Sequence, residues 1–334
     1  MPEGFTLLLL AVLGLAVAFD YVNGFHDTAN AIATSVSTRA LRPYQAILMS
    51  ATANFLGALT GTAVAKTIAA GIATTPPGAD GQIVVAASLV GAITWNLVTW
   101  RVGIPSSSSH ALIGGLIGAT IAALGPDALK VDGIVQKVLI PLVASPILGI
   151  VVGFGLMVVL LNVFRHAHPQ RINDRFRRLQ VLSAAYMAFS HGSNDAQKTM
   201  GIMTLALVTA GILAEPVVPL WIILIAATAI SLGTAAGGWR IIRTMGQRVV
   251  KLDPVHGFAA ETTAATIILG ASQFGIPVST THVISSAIMG VGSSDRFSAV
   301  RWGVAGDIIV AWILTIPASG AVAWLAWEVL SRVL

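Results

Sequence analysis

Long apolar runs recur along the whole of this sequence, and few charged side chains interrupt them. Hydrophobic residues make up 55% of the chain and charged residues only 10%, whereas a soluble domain carries about 25% charged residues. A helix needs about 20 predominantly apolar residues to span a bilayer. The sequence therefore predicts an all-α, polytopic membrane protein that folds in contact with lipid.

Ten stretches have the apolar character of a crossing, although two of them, 106–124 and 279–293, are short enough to be re-entrant instead. They are 5–38 (long, with a break predicted near residues 23 and 24), 45–70, 83–101, 106–124, 134–163, 181–213, 217–238, 256–274, 279–293 and 300–330. A polar, basic stretch lies between the fifth and the sixth. We therefore predict an N-terminal transmembrane repeat at 1–163, a basic cytoplasmic connector at 164–180 and a C-terminal repeat at 181–334.

The basic residues cluster in short loops, around 39–42, 165–178 and 240–251, whereas the loops at 76–80 and 215–219 contain no Lys or Arg. Cytoplasmic loops are enriched in Lys and Arg. This distribution predicts a protein of the cell (inner) membrane with both termini outside. It also indicates that the net charge of +5 reflects topology and not nucleic-acid binding. Five crossings per half would give the second half the opposite orientation.

Two motif pairs repeat within the chain. The run GIPSSSSHALIGGLIG at 103–118 aligns without a gap to GIPVSTTHVISSAIMG at 275–290, and GFHDTANA at 24–31 is echoed by GSNDAQKT at 192–199. Both pairs occur in the same order and at nearly the same offset. The sequence therefore predicts two inverted-topology repeats of about five crossings each, with broken or re-entrant helices that bracket a site at the membrane midplane.

The 103–118 and 275–290 motifs place hydroxyl groups two to four residues after a proline. Since proline restricts the residue before it and begins helices readily, the hydroxyls should fall in the first turn of a helix, where free N–H groups and the helix dipole bind anions. Ordinary capping and helix–helix hydrogen bonds are the alternative, but the duplication favours an anion site. The predicted ligands of an oxyanion are Ser107, Ser108, Ser109, Ser279, Thr280 and Thr281.

The 24–31 and 192–199 motifs place carboxylates, Asp27 and Asp195, inside apolar segments. A charged group there costs several kcal/mol unless it meets a partner, so such residues mark function. With the amide oxygens of Asn30 and Asn194, the two acids could bind Na⁺ or carry a proton. Lys198 occupies the place of Asn30 in the second motif, and its ammonium could pair with a carboxylate or with a bound anion.

Three further ionisable side chains lie in apolar surroundings. Glu261 has no basic neighbour in sequence, and it is either a solvated residue at the membrane interface or a third buried acid of the pathway. His110 and His282 occupy equivalent positions in the two halves. We expect them to orient neighbours by hydrogen bonding, although a histidine can also titrate near neutral pH.

Metal and enzyme chemistry find little support. His26 and His191 do not belong to a zinc-binding spacing, so no metal site is assigned beyond a possible Na⁺ at Asp27, Asn30 and Asp195. A membrane phosphatase would need a nucleophile, a base and an oxyanion arrangement, and no Arg-rich cluster accompanies either histidine. We predict no enzyme activity and no cofactor.

These motifs together resemble the Pit family of inorganic phosphate transporters over nearly the whole chain. The resemblance is carried by GFHDTANAIAT at 24–34, AFSHGSNDAQK at 188–198 and the two GIPxSxxH motifs. It implies a secondary transporter for phosphate, usually a homodimer, with both motif pairs at the transport site. By position, Asp27 and Asp195 are similar to the essential acids of the family. The hydroxyls that resemble its phosphate ligands are Ser107, Ser109, Ser279 and Thr281.

The coupling ion follows from a departure from the family pattern. Sodium-coupled members tend to have a GxNDxxN motif in both halves, but His26 replaces the first Asn here and Lys198 replaces the last Asn of the second half. The sequence thus resembles the bacterial proton-linked members of the family. This resemblance implies that phosphate is taken up as a neutral metal complex. We predict uptake by alternating access, with H⁺ favoured over Na⁺. A sulfate permease on the same scaffold and a passive anion channel are the alternatives.

Overall fold

The computed structural model describes residues 6–333, and within this range the regular structure is helical, with a single isolated bridge between Ala73 and Leu129. The helices are α1 (Leu7–Ser37), α2 (Pro43–Ala58), α3 (Ala63–Gly71), α4 (Ala79–Val102), α5 (Ser108–Leu124), α6 (Val131–Ile134), α7 (Ile140–Val163), α8 (Pro169–Thr209), α9 (Leu220–Ala236), α10 (Trp239–Arg243), α11 (Pro254–Gln273), α12 (Thr280–Asp295) and α13 (Trp302–Val333). Short π-helical turns join α6 to α7 and follow α10. The predicted all-α fold is confirmed.

Each of the ten predicted crossings contains a helix. Within residues 6–333, four helical stretches are long and apolar enough to span a bilayer, namely α1, α4, α13 and the continuous stretch Val131–Val163. The count rises to six if two bent helix pairs are each one span. The α5 helix is apolar but short, as the sequence predicts.

The predicted break in the first crossing is wrong, because α1 is an unbroken helix of 31 residues. Gly24 does not break the helix but allows α9 to pack closely against α1. A Cβ atom at this position would lie 2.3 Å from the backbone oxygen of Ile230 in α9. The bend occurs in the second crossing, where α2 and α3 meet at 69°. Composition alone does not distinguish a glycine that ends a helix from one that admits a neighbouring helix.

The predicted connector 164–180 is mostly helical. Only residues 164–168 are non-helical, and α8 begins at Pro169, where a proline at the first helical position leaves no hydrogen bond unmade. The α8 helix has 41 residues and is therefore about 60 Å long. This length is about twice the thickness of the hydrocarbon core, so the arginine-rich beginning of α8 has room to stand outside the lipid.

Two apolar cores lie on either side of a polar layer. One core contains Phe19 of α1 and Met200 of α8, and the other contains Ile32 of α1 and Met187 of α8. Both helices thus pass through both cores, and between them their side chains become polar. The sequence motifs of α1 and α8 lie in this layer.

The two halves of the chain pack on one another reciprocally. The α5 helix of the first half packs against α13 of the second, and α12 packs against α7. Glycines allow both contacts: a Cβ atom at Gly118 would lie 2.1 Å from the oxygen of Gly320, and one at Gly290 would lie 2.2 Å from the oxygen of Ile150. Small residues of this kind let helix backbones approach closely in membranes.

Candidate functional site

The acid-bearing segments of α1 and α8 meet inside the polar layer. Asp27, His191 and Asp195 each offer a ligand atom, and these atoms lie within 4.8 Å of one another. The three side chains are buried, with Asp27 exposed by 2% and Asp195 by 0%. Asp27 and Asp195, the two carboxylates predicted from the sequence to be functional, are therefore close neighbours.

The two hydroxyl motifs form the predicted helix starts. Ser107 precedes α5 and its Oγ accepts a hydrogen bond from the backbone N–H of His110 at 3.1 Å. Ser279 precedes α12 and its Oγ accepts from the N–H of His282 at 3.2 Å. Ser107 and Ser279 thus act as N-caps in this structure. The other four predicted ligands belong to the first turns that follow.

The first turn of each helix contacts the acid-bearing helix of the other half. Asn30 of α1 donates through Nδ2 to Thr281 Oγ1 of α12 at 2.9 Å. Lys198 of α8 donates through Nζ to Ser109 Oγ of α5. Asn30 and Lys198 occupy equivalent places in the repeated motifs, and so do Thr281 and Ser109. The two contacts are therefore counterparts of each other.

Lys198 is fully buried and its ammonium group has three partners. Besides Ser109, it donates to Asp195 Oδ1 at 2.5 Å and to the backbone oxygen of Val278 at 3.1 Å. The second carboxylate oxygen of Asp195 accepts from Thr280 Oγ1 at 3.2 Å and lies 3.3 Å from His191 Nε2. One positive charge and two polar groups thus offset the burial of Asp195.

Asp27 is paired with its neighbour in sequence. Its Oδ1 lies 2.6 Å from His26 Nδ1, and His26 Nε2 lies 3.1 Å from Thr99 Oγ1 of α4. From the sequence, His26 and His191 were weighed as zinc ligands and as phosphatase residues, and their contacts with the two acids were not predicted. The signal was present, since one histidine directly precedes Asp27 and the other lies one helical turn before Asp195.

Two predicted coupling residues point away from this centre. Asn194 donates through Nδ2 to Ser272 Oγ of α11 at 2.8 Å. Glu261 is completely buried, which excludes the solvated alternative, and it accepts hydrogen bonds from three donors. The donors are Thr34 Oγ1, Gln180 Nε2 at 3.2 Å and Ser183 Oγ at 2.5 Å. Because Ser183 precedes Asp195 by twelve residues of helix, this network is displaced by about 18 Å along α8.

The equivalent histidines His110 and His282 lie against each other, with ring centroids 4.8 Å apart. Nδ1 of His110 and both ring nitrogens of His282 have no hydrogen-bond partner within the described part of the chain. Trp312 stacks on His282 at 4.0 Å. The rings therefore pack where the two helix starts meet, and hydrogen bonds from these nitrogens do not orient the site here.

Two parts of this site suit different ions: one has the ligands of a small cation, and the other has the hydrogen-bond donors that an oxyanion needs. Two carboxylates and an imidazole converge at Asp27, His191 and Asp195, the one group of three acidic or histidine side chains between residues 6 and 333 whose ligand atoms all lie within 4.8 Å of one another. Lys198 offsets one of the two carboxylate charges, which favours a monovalent over a divalent ion. The hydroxyls and N–H groups at the starts of α5 and α12 can donate to an oxyanion.

Comparison with known proteins gives a consistent picture. The model of a family described as "Phosphate transporter family" matches residues 23–169 and 161–323. The chain is 48% identical over 330 residues to a "Probable low-affinity inorganic phosphate transporter" of Bacillus subtilis (strain 168), covering 98% of this chain and 99% of that protein. It is 47% identical over 322 residues to a protein with the same description from Rhizobium meliloti (strain 1021), covering 96% of each.

A solved structure titled "The sodium-dependent phosphate transporter" has the same fold, with a TM-score of 0.91 and 25% sequence identity. The match covers 98% of this chain and 100% of that chain. These relatives are named as transporters and not as enzymes. The resemblance to a family of phosphate transporters is confirmed.

Proposed function

The chain belongs to the phosphate transporter family, and from that premise we propose that it takes up inorganic phosphate by cation-coupled alternating access at the site between α1, α5, α8 and α12. The observation that supports this most strongly is the pair of counterpart contacts, Asn30 with Thr281 and Lys198 with Ser109. Each joins the acid-bearing helix of one half to the hydroxyl-lined helix start of the other. Inverted repeats that bracket a common midplane site would produce this reciprocity.

Phosphate would bind at the two helix starts. The hydroxyls and first-turn N–H groups of α5 and α12 supply neutral donors, and Lys198 supplies the positive charge. The proposed ligands are Ser107, Ser108, Ser109, Ser279, Thr280, Thr281 and Lys198. Since Lys198 and Asn30 already donate to Ser109 and Thr281, a phosphate oxygen would replace these contacts, not add to them.

The coupling cation would offset the burial of negative charge. Phosphate beside two buried carboxylates carries a high desolvation cost, and a proton or Na⁺ on the acids, or a metal ion on the phosphate, reduces it. The proposed coupling residues are Asp27, Asn30, Asp195, Asn194 and Glu261. The Lys198–Asp195 pair favours a proton as coupling ion, because it places a fixed cation where the second half would otherwise bind Na⁺.

A passive anion channel is a weaker candidate. The side chains of the proposed phosphate ligands are at most 3% exposed, whereas a channel needs a continuous open path. A sulfate permease on the same scaffold remains the second candidate, because hydroxyl and N–H donors suit any tetrahedral oxyanion.

We further propose a homodimer in the cell membrane, with both termini outside.

The test is uptake of labelled phosphate into proteoliposomes, with proton and sodium gradients imposed separately and sulfate added as a competitor. We expect accumulation driven by the proton gradient and little inhibition by sulfate. Uptake that only equilibrates phosphate, whatever gradient is imposed, would favour a channel. Strong competition by sulfate would favour the permease.

Asp27→Asn and Asp195→Asn should each abolish accumulation while the protein still inserts, because a neutral amide can neither take up and release a proton nor supply negative charge to a bound Na⁺ ion. The uptake assay measures this, with membrane insertion checked by size-exclusion chromatography of the purified variants. Accumulation at the unsubstituted rate in either variant would remove the acids from the coupling mechanism.

A further inference from the structure

The polar face of α1 extends beyond Asp27 and Asn30 in both directions along the helix. Asp20, Asn23, Asp27, Asn30 and Thr34 follow one another at intervals of three and four residues, which places them on one face of the helix. Asp20 lies seven residues before Asp27, about 10 Å away along the axis. The other end of this stripe is Thr34, which donates to Glu261.

Asp20 differs from Asp27, Asp195 and Glu261 in that neither of its carboxyl oxygens has a hydrogen-bond partner among the described residues. Its side chain is completely buried, and neither carboxyl oxygen makes a hydrogen bond with any residue in the described range 6–333. The polar side chains that face the carboxyl group of Asp20 are those of Asn23 in α1 and Thr199 in α8. The amide nitrogen and oxygen of Asn23 and the hydroxyl of Thr199 are likewise buried, and they have no hydrogen-bond partner over the same range.

Between residues 6 and 333, no basic side chain makes an ion pair or a hydrogen bond with Asp20. Of the elements packed against α1, only α8 contributes charges that act on its carboxyl group, namely those of Asp195 and Lys198. The α9 helix contains no ionisable side chain. An ammonium group has three hydrogens to donate, and Lys198 already donates to Ser109, Asp195 and Val278.

A buried carboxylate without a partner is expensive, and it is neutralised most simply by taking up a proton. We propose that Asp20 carries a coupling proton of the transport cycle, held in a site formed with Asn23 and Thr199. The protonated carboxyl group can donate its O–H to the amide oxygen of Asn23 and accept from the Thr199 hydroxyl. When the pathway opens to water on the other side of the membrane, the O–H bond breaks, the proton passes to water and the carboxylate remains, hydrated.

This inference rests on the proposed function, since a coupling proton presupposes coupled transport. It adds a carboxyl group that is neither a proposed phosphate ligand nor a member of the cluster of Asp27, His191 and Asp195.

The test compares exchange with accumulation in proteoliposomes. Asp20→Asn preserves shape and mimics the neutral acid, so the exchange of internal for external labelled phosphate should continue, while proton-driven accumulation should be lost. A pH-sensitive dye inside the vesicles should show that phosphate no longer brings protons with it. Asp20→Glu should restore both the proton-driven accumulation of phosphate and the entry of protons that accompanies it. The matched control is Asp80→Asn, at an exposed position at the start of α4, and it should behave as the unsubstituted protein does.

Each other outcome has a definite meaning. Asp20→Asn protein that still accumulates phosphate, or that loses exchange as well, overturns the proposal. A variant that loses only sodium-driven accumulation also overturns it, because the site would then bind Na⁺. If the unsubstituted protein accumulates no phosphate under any gradient, the proposed function itself fails, whatever the variant does.

A second measurement on the unsubstituted protein does not depend on the folding of a variant. Dicyclohexylcarbodiimide reacts with protonated carboxyl groups in apolar surroundings, and mass spectrometry locates the adduct. We expect an adduct on Asp20 whose yield falls as the pH is raised. Asp20 that stays unlabelled counts against the proposal.

Discussion

Lys198 determines the charge balance of the site. Its equivalent in the first half is Asn30, a neutral side chain that donates to the hydroxyl of Thr281. Lys198 makes the counterpart contact with Ser109 and also neutralises Asp195 at 2.5 Å. A buried pair of this kind tolerates the loss of one partner poorly, because the other charge is then left without compensation.

If transport is coupled to protons as proposed, Lys198→Asn should shift its requirement from protons towards sodium. The substitution leaves Asp195 without its fixed cation, and an amide oxygen beside a carboxylate is a suitable Na⁺ ligand. We expect uptake to fall strongly without sodium and to recover when sodium is added. Phosphate uptake at several sodium concentrations measures this.

The control for Lys198→Asn is Lys66→Asn, an exposed position on α3, which should leave the sodium dependence unchanged. Uptake by Lys198→Asn that does not respond to sodium would show that the ammonium group does not take the place of a coupling ion.

Close helix contacts through glycine hold the two acid-bearing helices in register. A Cβ atom at Gly24 would lie 2.3 Å from the oxygen of Ile230, and one at Gly192 would lie 2.1 Å from the oxygen of Asn54. The first contact joins α1 to α9, and the second joins α8 to α2. Each lies within a few residues of an acid of the site, so a displacement there would also move Asp27 or Asp195.

Gly24→Ala should lower the free energy of unfolding by about 1–3 kcal/mol, because the added methyl group has no space. Gly14→Ala in the same helix is the matched control, since nothing lies within 4 Å of a Cβ atom there. Alanine favours a helix over glycine by up to about 1 kcal/mol, so the control should be neutral or stabilising. Thermal unfolding in detergent compares them, and equal effects would exclude the packing role.

The start of α11 depends on a capping carboxylate. Asp253 Oδ1 accepts from the N–H groups of Val255 at 2.9 Å and His256 at 3.0 Å, and from His256 Nδ1 at 2.7 Å. Burial tends to raise the pKa of Asp253, but the hydrogen bonds and the charge of His256, with the backbone N–H groups, hold that pKa below its ordinary value. The ionised form is thus the one that stabilises the helix.

Asp253→Ala should reduce stability by about 1 kcal/mol, the usual cost of a lost N-cap. Because the pKa of this carboxyl group is lowered on folding, its contribution is present above the ordinary pKa of about 3.9 and is lost as the pH falls through the lowered value. Thermal unfolding of both proteins between neutral and acidic pH should show curves that converge at low pH. The exposed Asp127→Ala serves as control, and a difference that persists at low pH would contradict the capping argument.

The reciprocal packing of the whole molecule gives each half the last helix of the other as a neighbour. The α5 helix packs on α13, and α12 packs on α7. The helices α5 and α12 therefore each need the other half of the chain for their packing. A movement of one half would also change the position of the hydroxyl-lined helix start in the other half. Transport by alternating access uses coupled movements of this kind.

The predicted topology can be measured directly because the chain contains no cysteine. Cysteines introduced one at a time at Asp80 and Glu215 should react with a membrane-impermeant maleimide in intact cells, since the loops there contain no Lys or Arg. Cysteines at Arg42 and Arg171 should react only after permeabilisation. All four positions are exposed. Labelling of Asp80→Cys and Arg171→Cys from the same side would contradict the predicted orientation.

The helical class, the helix starts after the two prolines and the membership of Asp27, Asp195 and Lys198 in a polar layer could be predicted from the sequence. All of these follow from local rules, namely the length of apolar runs, the restriction that proline imposes and the cost of charge in lipid. The break placed at residues 23 and 24 failed because a glycine is ambiguous until its neighbour is known.

The partners of each polar side chain were decided only by the tertiary structure. Asn30 meets Thr281 across 251 residues and Lys198 meets Ser109 across 89, and no periodicity within one helix encodes such distances along the chain. The same holds for Asp20: its position seven residues before Asp27 is visible in the sequence, but the absence of a hydrogen-bond partner among residues 6–333 is not. By itself the sequence determined which side chains would be costly to bury, because that cost is a property of each residue in its apolar run. The fold decided how the cost is met, because compensation requires a second group brought close from elsewhere in the chain.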